Sequence, residues 1–400
     1  MSARMAIVLI GAAFFVTGLV AWLAGWHVGA DSAAYRAGAT ALVRGEEVYS
    51  SRTLSAAPWW RPLPFTYPPA AALLFTPLVV LPVEVCWGLL NALSVLALGV
   101  AVKLSLDAVR DDTSGRYRPL PGAALTVLLV ALMFALEPVW HTFYLGQINL
   151  ILMAMVLVDV LVLGAGPGRR WSGVLIGVAA AVKLTPLIFV VHLLLTGRVA
   201  QAGRAMATFA GLQLLMFALS PSDATAYWTK AVTDPERIGT THWISNQSLN
   251  GLVRRVSEGA SWSTMVALSI GAVLAGPAAI LVRRLHREGR TLEALLVSGF
   301  LALLLSPVSW SHHWVWAVPL IVVLAARTHW WGAGALFVVF ASCVVLLVPN
   351  GGRREFDWNG FELLLGSSYL LVPLVSAAVL VWRLAAVDQG GKFVGVRRGQ

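Results

Sequence analysis

The sequence predicts an all-α membrane protein whose reactive polar side chains gather at one end of a helical bundle. Three observations lead to this fold class. Of the 400 residues, 58% are hydrophobic and only 12% are charged, whereas a soluble domain carries about a quarter charged residues. The mean hydropathy is +0.78. Long apolar runs recur along the whole chain, so many segments require an apolar solvent rather than one shared core.

The charge and cysteine content agree with this class. The net charge is +10, but the basic residues lie in short segments between apolar runs, as the positive-inside rule describes. We therefore expect membrane lipids rather than nucleic acid around the chain. Cys86 and Cys343 lie within apolar runs and form neither a disulfide framework nor a metal-ligand spacing. We interpret them as packing residues.

Ten apolar runs reach or approach the roughly 20 residues that a helix needs to cross a bilayer. They cover 5–26, 83–104, 121–137, 147–165, 205–220, 263–283, 291–306, 313–326, 332–348 and 368–384. The region 172–196 differs, because Lys183 to Pro186 interrupt it. Proline removes a backbone donor and disfavours helix just before it, which predicts two short helices forming a hairpin. A similar element at 68–82 begins and ends with proline.

These elements together predict roughly 10–13 transmembrane or re-entrant helices. We expect one membrane domain over 1–385 and a short cytoplasmic tail over 386–400. If the N-terminus lies inside and the hairpin returns to its own side, most Lys and Arg residues fall in inner segments. The outer side then receives the segments 27–67, 138–146, 221–262, 307–312 and 349–366.

Asp31 is the first candidate for chemistry, because it follows the first apolar run almost directly. Helical spacing places Tyr35 on the same face and Arg36 on a neighbouring stripe. One interpretation of Asp31 is a helix N-cap. The other is a carboxylate held at the membrane surface as a general base.

Two further candidates lie at interruptions of apolar runs. The sequence from Trp310 to Trp314 contains His312 and His313. It fits an interfacial aromatic belt, or a phosphate or metal site. A zinc site is disfavoured, because adjacent histidines point apart on a helix. Lys183 either neutralises a lipid phosphate or extends its ammonium group toward a headgroup.

Two polar clusters complete the candidates. Asn246, Gln247, Arg254 and Arg255 lie in one outer loop, where amides suit sugar hydroxyls and arginine suits phosphate. The other cluster, on an outer segment after the third run, comprises Glu137, His141, Tyr144, Gln147 and Asn149. The expected convergence of these residues at one end of the bundle is more informative than any one of them.

The short motifs, taken in order, resemble those of glycosyltransferase family 87, the polyprenyl-phosphate-mannose-dependent α-1,2-mannosyltransferases of actinobacterial cell envelopes. The resemblance runs from about residue 27 to 316. It rests on Asp31 with Tyr35-Arg36-Ala37-Gly38, Val48-Tyr49, Phe65-Thr66-Tyr67-Pro68-Pro69, Gly146-Gln147-Ile148-Asn149-Leu150, Ala181-Val182-Lys183-Leu184-Thr185-Pro186, Asn246-Gln247-Ser248-Leu249 and Ser306-Pro307-Val308-Ser309-Trp310-Ser311-His312-His313.

The resemblance implies a GT-C fold in the plasma membrane, with an active site on the extracytoplasmic face. It implies inverting transfer of mannose from polyprenyl-phosphate-mannose to a mannosylated glycolipid: a phosphatidylinositol mannoside, lipomannan or lipoarabinomannan. We expect no cofactor and no metal. Where the family often has further acidic residues after its aspartate, this chain has Ser32, Ala33 and Ala34.

The resemblance also implies roles for individual residues. The family's catalytic aspartate maps onto Asp31, and its histidine near the site maps onto His312 or His313. The residues expected to bind substrate are Tyr35, Arg36, Tyr67, Gln147, Asn149, Lys183, Asn246, Gln247, Arg254, Arg255 and Trp310. The lipid tail is expected between helices, beside the 68–82 element. The alternative function is a transporter or flippase of polyprenyl-linked sugars, which would also need broken helices and buried charges.

Overall fold

The structure, a computed structural model, describes residues 2–49, 54–112 and 122–396. Within these ranges the chain is mainly helical, and its β-structure is limited to one bridge between Asn246 and Trp310. The α-helices are α1 Ala3–Leu23, α2 Ala30–Arg44, α3 Pro69–Leu74, α4 Val83–Asp112, α5 Gly122–Met133, α6 Glu137–Leu145, α7 Asn149–Leu157, α8 Val174–Val182, α9 Ile188–Leu195, α10 Val199–Leu219, α11 Pro221–Thr229, α12 Pro235–Ile238, α13 Leu249–Val256, α14 Ser263–Arg287, α15 Thr291–Leu305, α16 Ala317–Ala326, α17 Trp330–Ala341, α18 Val344–Leu347, α19 Gly360–Gly366 and α20 Ser368–Val396. A π-helical turn, Val158–Leu163, extends α7. The short 3₁₀ helices are Thr76–Leu78, Pro167–Arg170, Thr185–Leu187, Ala231–Thr233, Ser311–Trp316 and Arg354–Phe356. The predicted all-α fold class is confirmed.

The helices make this a multi-pass membrane protein. In the described residues, 5 helices are long and apolar enough to cross a bilayer, or up to 7 if each of two bent pairs forms one span. Shorter apolar helices run through 149–163, 185–195, 291–305 and 311–326. In α1, α10 and α14 only 22% of the apolar window is buried inside the protein. Their remaining apolar surface therefore requires lipid.

The helices α1 and α4 pack closely because glycines face each other. A Cβ atom added at Gly88 would lie 2.9 Å from the Cα atom of Gly18 and 2.9 Å from the carbonyl oxygen of Phe14. Small residues let two membrane helices approach to this extent. The pair fixes the direction in which the chain enters α2, immediately after α1.

Gly88→Leu should therefore destabilise the protein by about 1–3 kcal/mol, because the side chain overpacks the α1–α4 contact. Thermal unfolding of the detergent-solubilised protein measures the loss. The matched control is Gly211→Leu in α10, where nothing lies within 4 Å of an added Cβ atom. Equal unfolding temperatures for the two variants would contradict this packing.

The predicted hairpin is present at α8 and α9. Arg204 Nε donates to the carbonyl of Ser172 just before α8 (2.8 Å), and Gln213 Nε2 donates to the carbonyl of Ala181 near its end (3.5 Å). These contacts make α8 run alongside α10 in the same direction. The helix α9 then returns, because Gly197, with φ of 74°, turns the chain from its end directly into the start of α10. The hairpin tip, with Lys183, therefore lies deep in the bundle, toward the far end of α10.

Two predicted boundaries differ from the structure. The run predicted at 121–137 is divided, because α5 and α6 meet at a bend of 75°. Pro138 in the first turn of α6 favours a helix start there. The predicted domain boundary at 385 falls within α20, which continues to Val396, and the division into membrane domain and tail stays a prediction. The last residues of the predicted tail, 397–400, lie outside the described residues.

Candidate active site

Asp31 lies in the first turn of α2. The N-cap of this helix is Gly29, whose φ of 76° is left-handed, and no side chain caps the helix. The Asp31 carboxylate instead accepts a hydrogen bond at Oδ2 from Gln147 Nε2 (2.9 Å). The N-cap interpretation of Asp31 is therefore wrong, and its carboxylate is directed toward residues from another part of the chain.

Gln147 joins Asp31 to two tyrosines. Its Oε1 accepts from the Tyr35 hydroxyl at 2.6 Å, and its Nε2 donates to the Tyr67 hydroxyl at 3.1 Å. The two hydroxyls are 3.2 Å apart. Tyr35 is fully buried against Phe75, with ring centroids 4.5 Å apart. This network fixes the amide so that one of its hydrogens is directed at the carboxylate.

Lys183, at the hairpin tip, forms a second polar centre around Asn149, which is two residues after Gln147. Its Nζ donates to Asn149 Oδ1 (3.0 Å) and lies 2.9 Å from His313 Nε2. Asn149 Nδ2 in turn donates to the carbonyl of His312 (2.9 Å). Gln147 therefore contacts the Asp31 carboxylate, and Asn149, two residues later, contacts the Lys183 ammonium group.

Both predicted histidines belong to this cluster. The ring of His312 lies edge-on to those of His141 and His313, with centroids 5.2 and 4.7 Å apart. His312 is only 6% exposed, and within the described chain neither ring nitrogen has a hydrogen-bond partner. Buried polar atoms are normally paired, so both ring nitrogens of His312 keep an unused capacity for hydrogen bonding.

The surroundings of Asp31 determine its charge. Burial raises the pKa of its carboxyl above the usual range, while the hydrogen bond from Gln147 and the positive charge of Lys183 lower it and offset part of that rise. A carboxylate with a raised pKa is a better proton acceptor than an ordinary surface aspartate. That property suits a general base working near neutral pH.

Six other predicted site residues lie outside the Asp31–Lys183 cluster and contact other parts of the protein. Arg36 donates to the carbonyls of Leu81 (2.6 Å) and Val79 (3.3 Å) and so ties α2 to the segment before α4. The remaining five are Asn246, Gln247, Arg254, Arg255 and Trp310. These five pack around α13 and the start of the 311–316 helix.

The contacts of that group explain its location. Gln247 donates to the carbonyl of Gly366 (2.6 Å). Asn246 pairs with Trp310 in the single β-bridge. Arg255 is 2% exposed, donates to the carbonyl of Asn246 (3.0 Å) and lies over the Trp358 ring. Those contacts support the loops around α13, and the structure does not bring this group into the Asp31–Lys183 cluster.

Arg254 is less buried than Arg255. It is partly buried, and its Nη2 donates to Thr264 Oγ1 over 3.4 Å. Its contacts likewise lie within the α13–α14 region. A substrate role for Arg254 stays a prediction.

An apolar cavity opens beside the ammonium group. Its volume is about 50 Å³, and Lys183, Asn149 and His313 supply an ammonium, an amide and an imidazole group at its lining. The other lining residues are Leu152, Met153, Val156, Thr185, Pro186, Phe189, Ala302, Leu303, Val315 and Trp316. The helices α7, α9 and α15 form most of it. The element at 68–82, beside which the lipid tail was expected, contributes no residue to this lining.

Sequence reasoning singled out Glu137 and His141 as cluster members without giving them a role, and it missed Ser311 and Tyr369 as their partners. The hydroxyls of Ser311 and Tyr369 donate to the two oxygens of Glu137, at 2.8 and 3.0 Å. Tyr369 is 232 residues away in sequence. No local pattern could have indicated that contact.

Comparison with known proteins bears on the family of the chain. Residues 65–307 match glycosyltransferase family 87. A polyprenol-phosphate-mannose-dependent α-(1-2)-phosphatidylinositol mannoside mannosyltransferase of Mycobacterium tuberculosis is 33% identical over 95% of this chain and 89% of its own length. The chain belongs to glycosyltransferase family 87.

Other relatives of this family 87 glycosyltransferase extend the comparison. A protein of the same description from Mycolicibacterium smegmatis is 33% identical over 85% of this chain and 80% of its own length. A phosphatidylinositol pentamannoside mannosyltransferase of M. tuberculosis is 35% identical over 70% and 64%. No solved structure matches the chain. The family assignment makes the protein a glycosyltransferase, and nothing in these relatives supports the transporter alternative.

Metal binding was expected to be absent. In the part of the chain that the structure describes, no group of three or more His, Cys, Asp or Glu side chains is arranged to hold a metal ion. Metal independence of the reaction stays a prediction.

Proposed function

We propose that this glycosyltransferase moves mannose from polyprenyl-phosphate-mannose to a mannosylated phosphatidylinositol, forming an α-1,2 linkage. The observation that carries the proposal is the apolar cavity with the Lys183 ammonium group in its lining. A prenyl chain requires an apolar path, and a phosphate requires a cation at the end of that path. The relatives are named for the same donor and acceptor classes.

Asp31 supplies the base. The attacking hydroxyl of the acceptor must lose its proton as its oxygen bonds to the anomeric carbon, so a positioned carboxylate accelerates the step. Gln147 holds one carboxylate oxygen, Oδ2, at 2.9 Å. The other oxygen, Oδ1, has no bond from Gln147 and is the one we assign to the acceptor hydroxyl. Attack opposite the phosphate inverts a β-linked mannose to the α-linkage.

The leaving group determines the role of the second centre. As the bond between the anomeric carbon and the phosphate oxygen breaks, its electron pair passes to that oxygen. The phosphate then gains one negative charge. Preorganised cations and donors stabilise charge that develops in a transition state. Lys183, with Asn149 and the unpartnered ring of His312 nearby, supplies such groups. Asp31 and Lys183 would then lie on opposite sides of the reacting carbon.

The proposal places the site at the extracytoplasmic face of the plasma membrane. The Asp31 carboxylate follows α1 directly, so it lies at the end of the bundle opposite the N-terminus. The last turn of α14 carries Arg284 and Arg287, and the loop before α15 carries Arg290, at the other end. Short basic loops favour the cytoplasmic side.

The test is transfer by the purified protein. Wild-type protein in proteoliposomes is incubated with labelled polyprenyl-phosphate-mannose and a series of phosphatidylinositol mannosides. We expect labelled mannose in one acceptor, released by an α-1,2-specific mannosidase. Movement of the intact labelled donor across the vesicle without any transfer would instead establish a transporter.

A further inference from the structure

Glu137 is a buried carboxyl group that the proposed mechanism does not use. It is 0% exposed and lies at the start of α6. Three side chains surround it: Ser311 donates to Oε1, Tyr369 donates to Oε2, and His141 Nδ1 lies 2.8 Å from Oε1. Buried ionisable groups in membrane proteins are costly and are retained where they serve function.

The bonds around this carboxylate fix the imidazole of His141. Its Nδ1 also lies 3.3 Å from Ser311 Oγ, whose own hydrogen is directed at Glu137. Since both Glu137 oxygens are acceptors, Nδ1 carries the proton. This leaves Nε2 as the only ring nitrogen that is free for another partner, and within the described chain it has none. The His141 side chain remains 17% exposed, so Nε2 is accessible.

The position of His141 is at the transfer site. Its ring lies edge-on to that of His312, with centroids 5.2 Å apart. Asp31 on α2 interacts electrostatically with His141, and Lys183 at the hairpin tip interacts with the adjacent His312. Glu137 faces it from its own helix.

We propose that His141 binds a sugar hydroxyl through Nε2 and that Glu137 is the positioning residue that fixes the tautomer and orientation of this imidazole. The proposal rests on the proposed transfer reaction and adds a third group to its site. When a carboxylate accepts a hydrogen bond from one ring nitrogen, the other ring nitrogen is left to accept a hydrogen bond from a substrate. The same chemistry fits a hydroxyl of the donor mannose or of the acceptor.

Glu137→Gln tests the positioning role. The glutamine amide can donate to Nδ1, which moves the imidazole proton to Nε2 and turns the free nitrogen from an acceptor into a donor. We expect kcat to fall about 10²–10³-fold with little change in unfolding temperature, since groups in proton transfer and orientation contribute factors of this order. Wild-type kcat in a well-folded Glu137→Gln protein, measured while wild type itself transfers mannose, overturns this inference alone.

Tyr369→Phe is the matched control, because it removes a hydrogen bond from the same carboxylate on the oxygen that does not contact His141. We expect its kcat to stay within about three-fold of wild type, since His141 keeps both contacts at Nδ1. A loss as large as that of Glu137→Gln would make the network purely structural and overturn the proposal.

His141→Phe keeps a ring beside His312 and removes Nε2, so it remains informative even if Glu137→Gln does not fold. We expect kcat to fall as far as in Glu137→Gln, and the double variant to lose no more than either single variant, because the two residues act as one unit. The substrate whose KM rises in His141→Phe, donor or acceptor, carries the bound hydroxyl. Additive losses, or an unaltered rate in His141→Phe, overturn the proposal.

Discussion

Asp31→Asn should reduce mannosyl transfer by about 10³-fold or more, because the acceptor hydroxyl loses its general base. Asparagine keeps the size of the side chain and can still accept the hydrogen bond that Gln147 donates to Oδ2. The variant should therefore fold. Its transfer rate is measured under saturating donor and acceptor, so that the effect on kcat is separated from binding.

We also expect Asp31→Asn to change the stability of the protein. Burial raises the folded-state pKa of Asp31 above its unfolded value, so the stability linked to its protonation is present below the unfolded pKa and lost as pH rises through the folded pKa. Ionisation of the buried carboxyl is therefore a cost to folding. Asp31→Asn should unfold at a temperature equal to or above that of wild type, as expected for a site where activity opposes stability.

Asp223→Asn is the matched control for Asp31→Asn. Asp223 is also buried, but its carboxylate accepts from the backbone N–H of Val48 (2.7 Å) and from Ser220 Oγ (2.8 Å). We expect this variant to lose about 1–3 kcal/mol of stability and to keep its kcat. Full activity in Asp31→Asn, or loss of kcat in Asp223→Asn alone, would contradict the role assigned to Asp31.

Lys183→Met should reduce kcat/KM for the donor by about 10²–10³-fold, because the developing phosphate charge loses its cation. Methionine keeps the length and apolar character of the lysine stem, so the cavity lining is preserved. The positive charge of Lys183 also lowers the pKa of Asp31. The acid limb of the pH–rate profile should therefore move to higher pH in this variant.

Lys103→Met is the control for charge removal, since Lys103 is exposed and pairs with Asp107 on the surface of α4. Such exposed pairs contribute about 0–1 kcal/mol, and we expect an unaltered rate. A Lys183→Met protein with wild-type kcat/KM and an unmoved acid limb would exclude Lys183 from the donor site.

Much of this site follows from the sequence, because its parts are local. Apolar run length predicts where the apolar helices lie but not how many are long enough to cross a bilayer, which are 5, or up to 7 with the bent pairs, in the described residues. Proline beside Lys183 predicts the hairpin, since both signals depend on neighbouring residues. The tip of a broken apolar segment also predicts that Lys183 is functional. These inferences needed no knowledge of which helices pack together.

The remaining part depends on tertiary contacts. The sequence gives no indication that Gln147 bonds Asp31 while Asn149 bonds Lys183, although the two amides are two residues apart. The sequence also does not distinguish Arg255, buried against Trp358, from an arginine that faces a phosphate. Composition identifies groups capable of recognition, whereas burial and partners decide which of them are free to perform it.

The most direct test of the account is a structure of the Asp31→Asn protein with polyprenyl-phosphate-mannose bound. We expect the donor phosphate within hydrogen-bond distance of Lys183 Nζ, the prenyl chain in the cavity between α7, α9 and α15, and the anomeric carbon between that phosphate and position 31. A donor whose phosphate lies instead beside Arg254, or whose prenyl chain follows the 68–82 element, would contradict it.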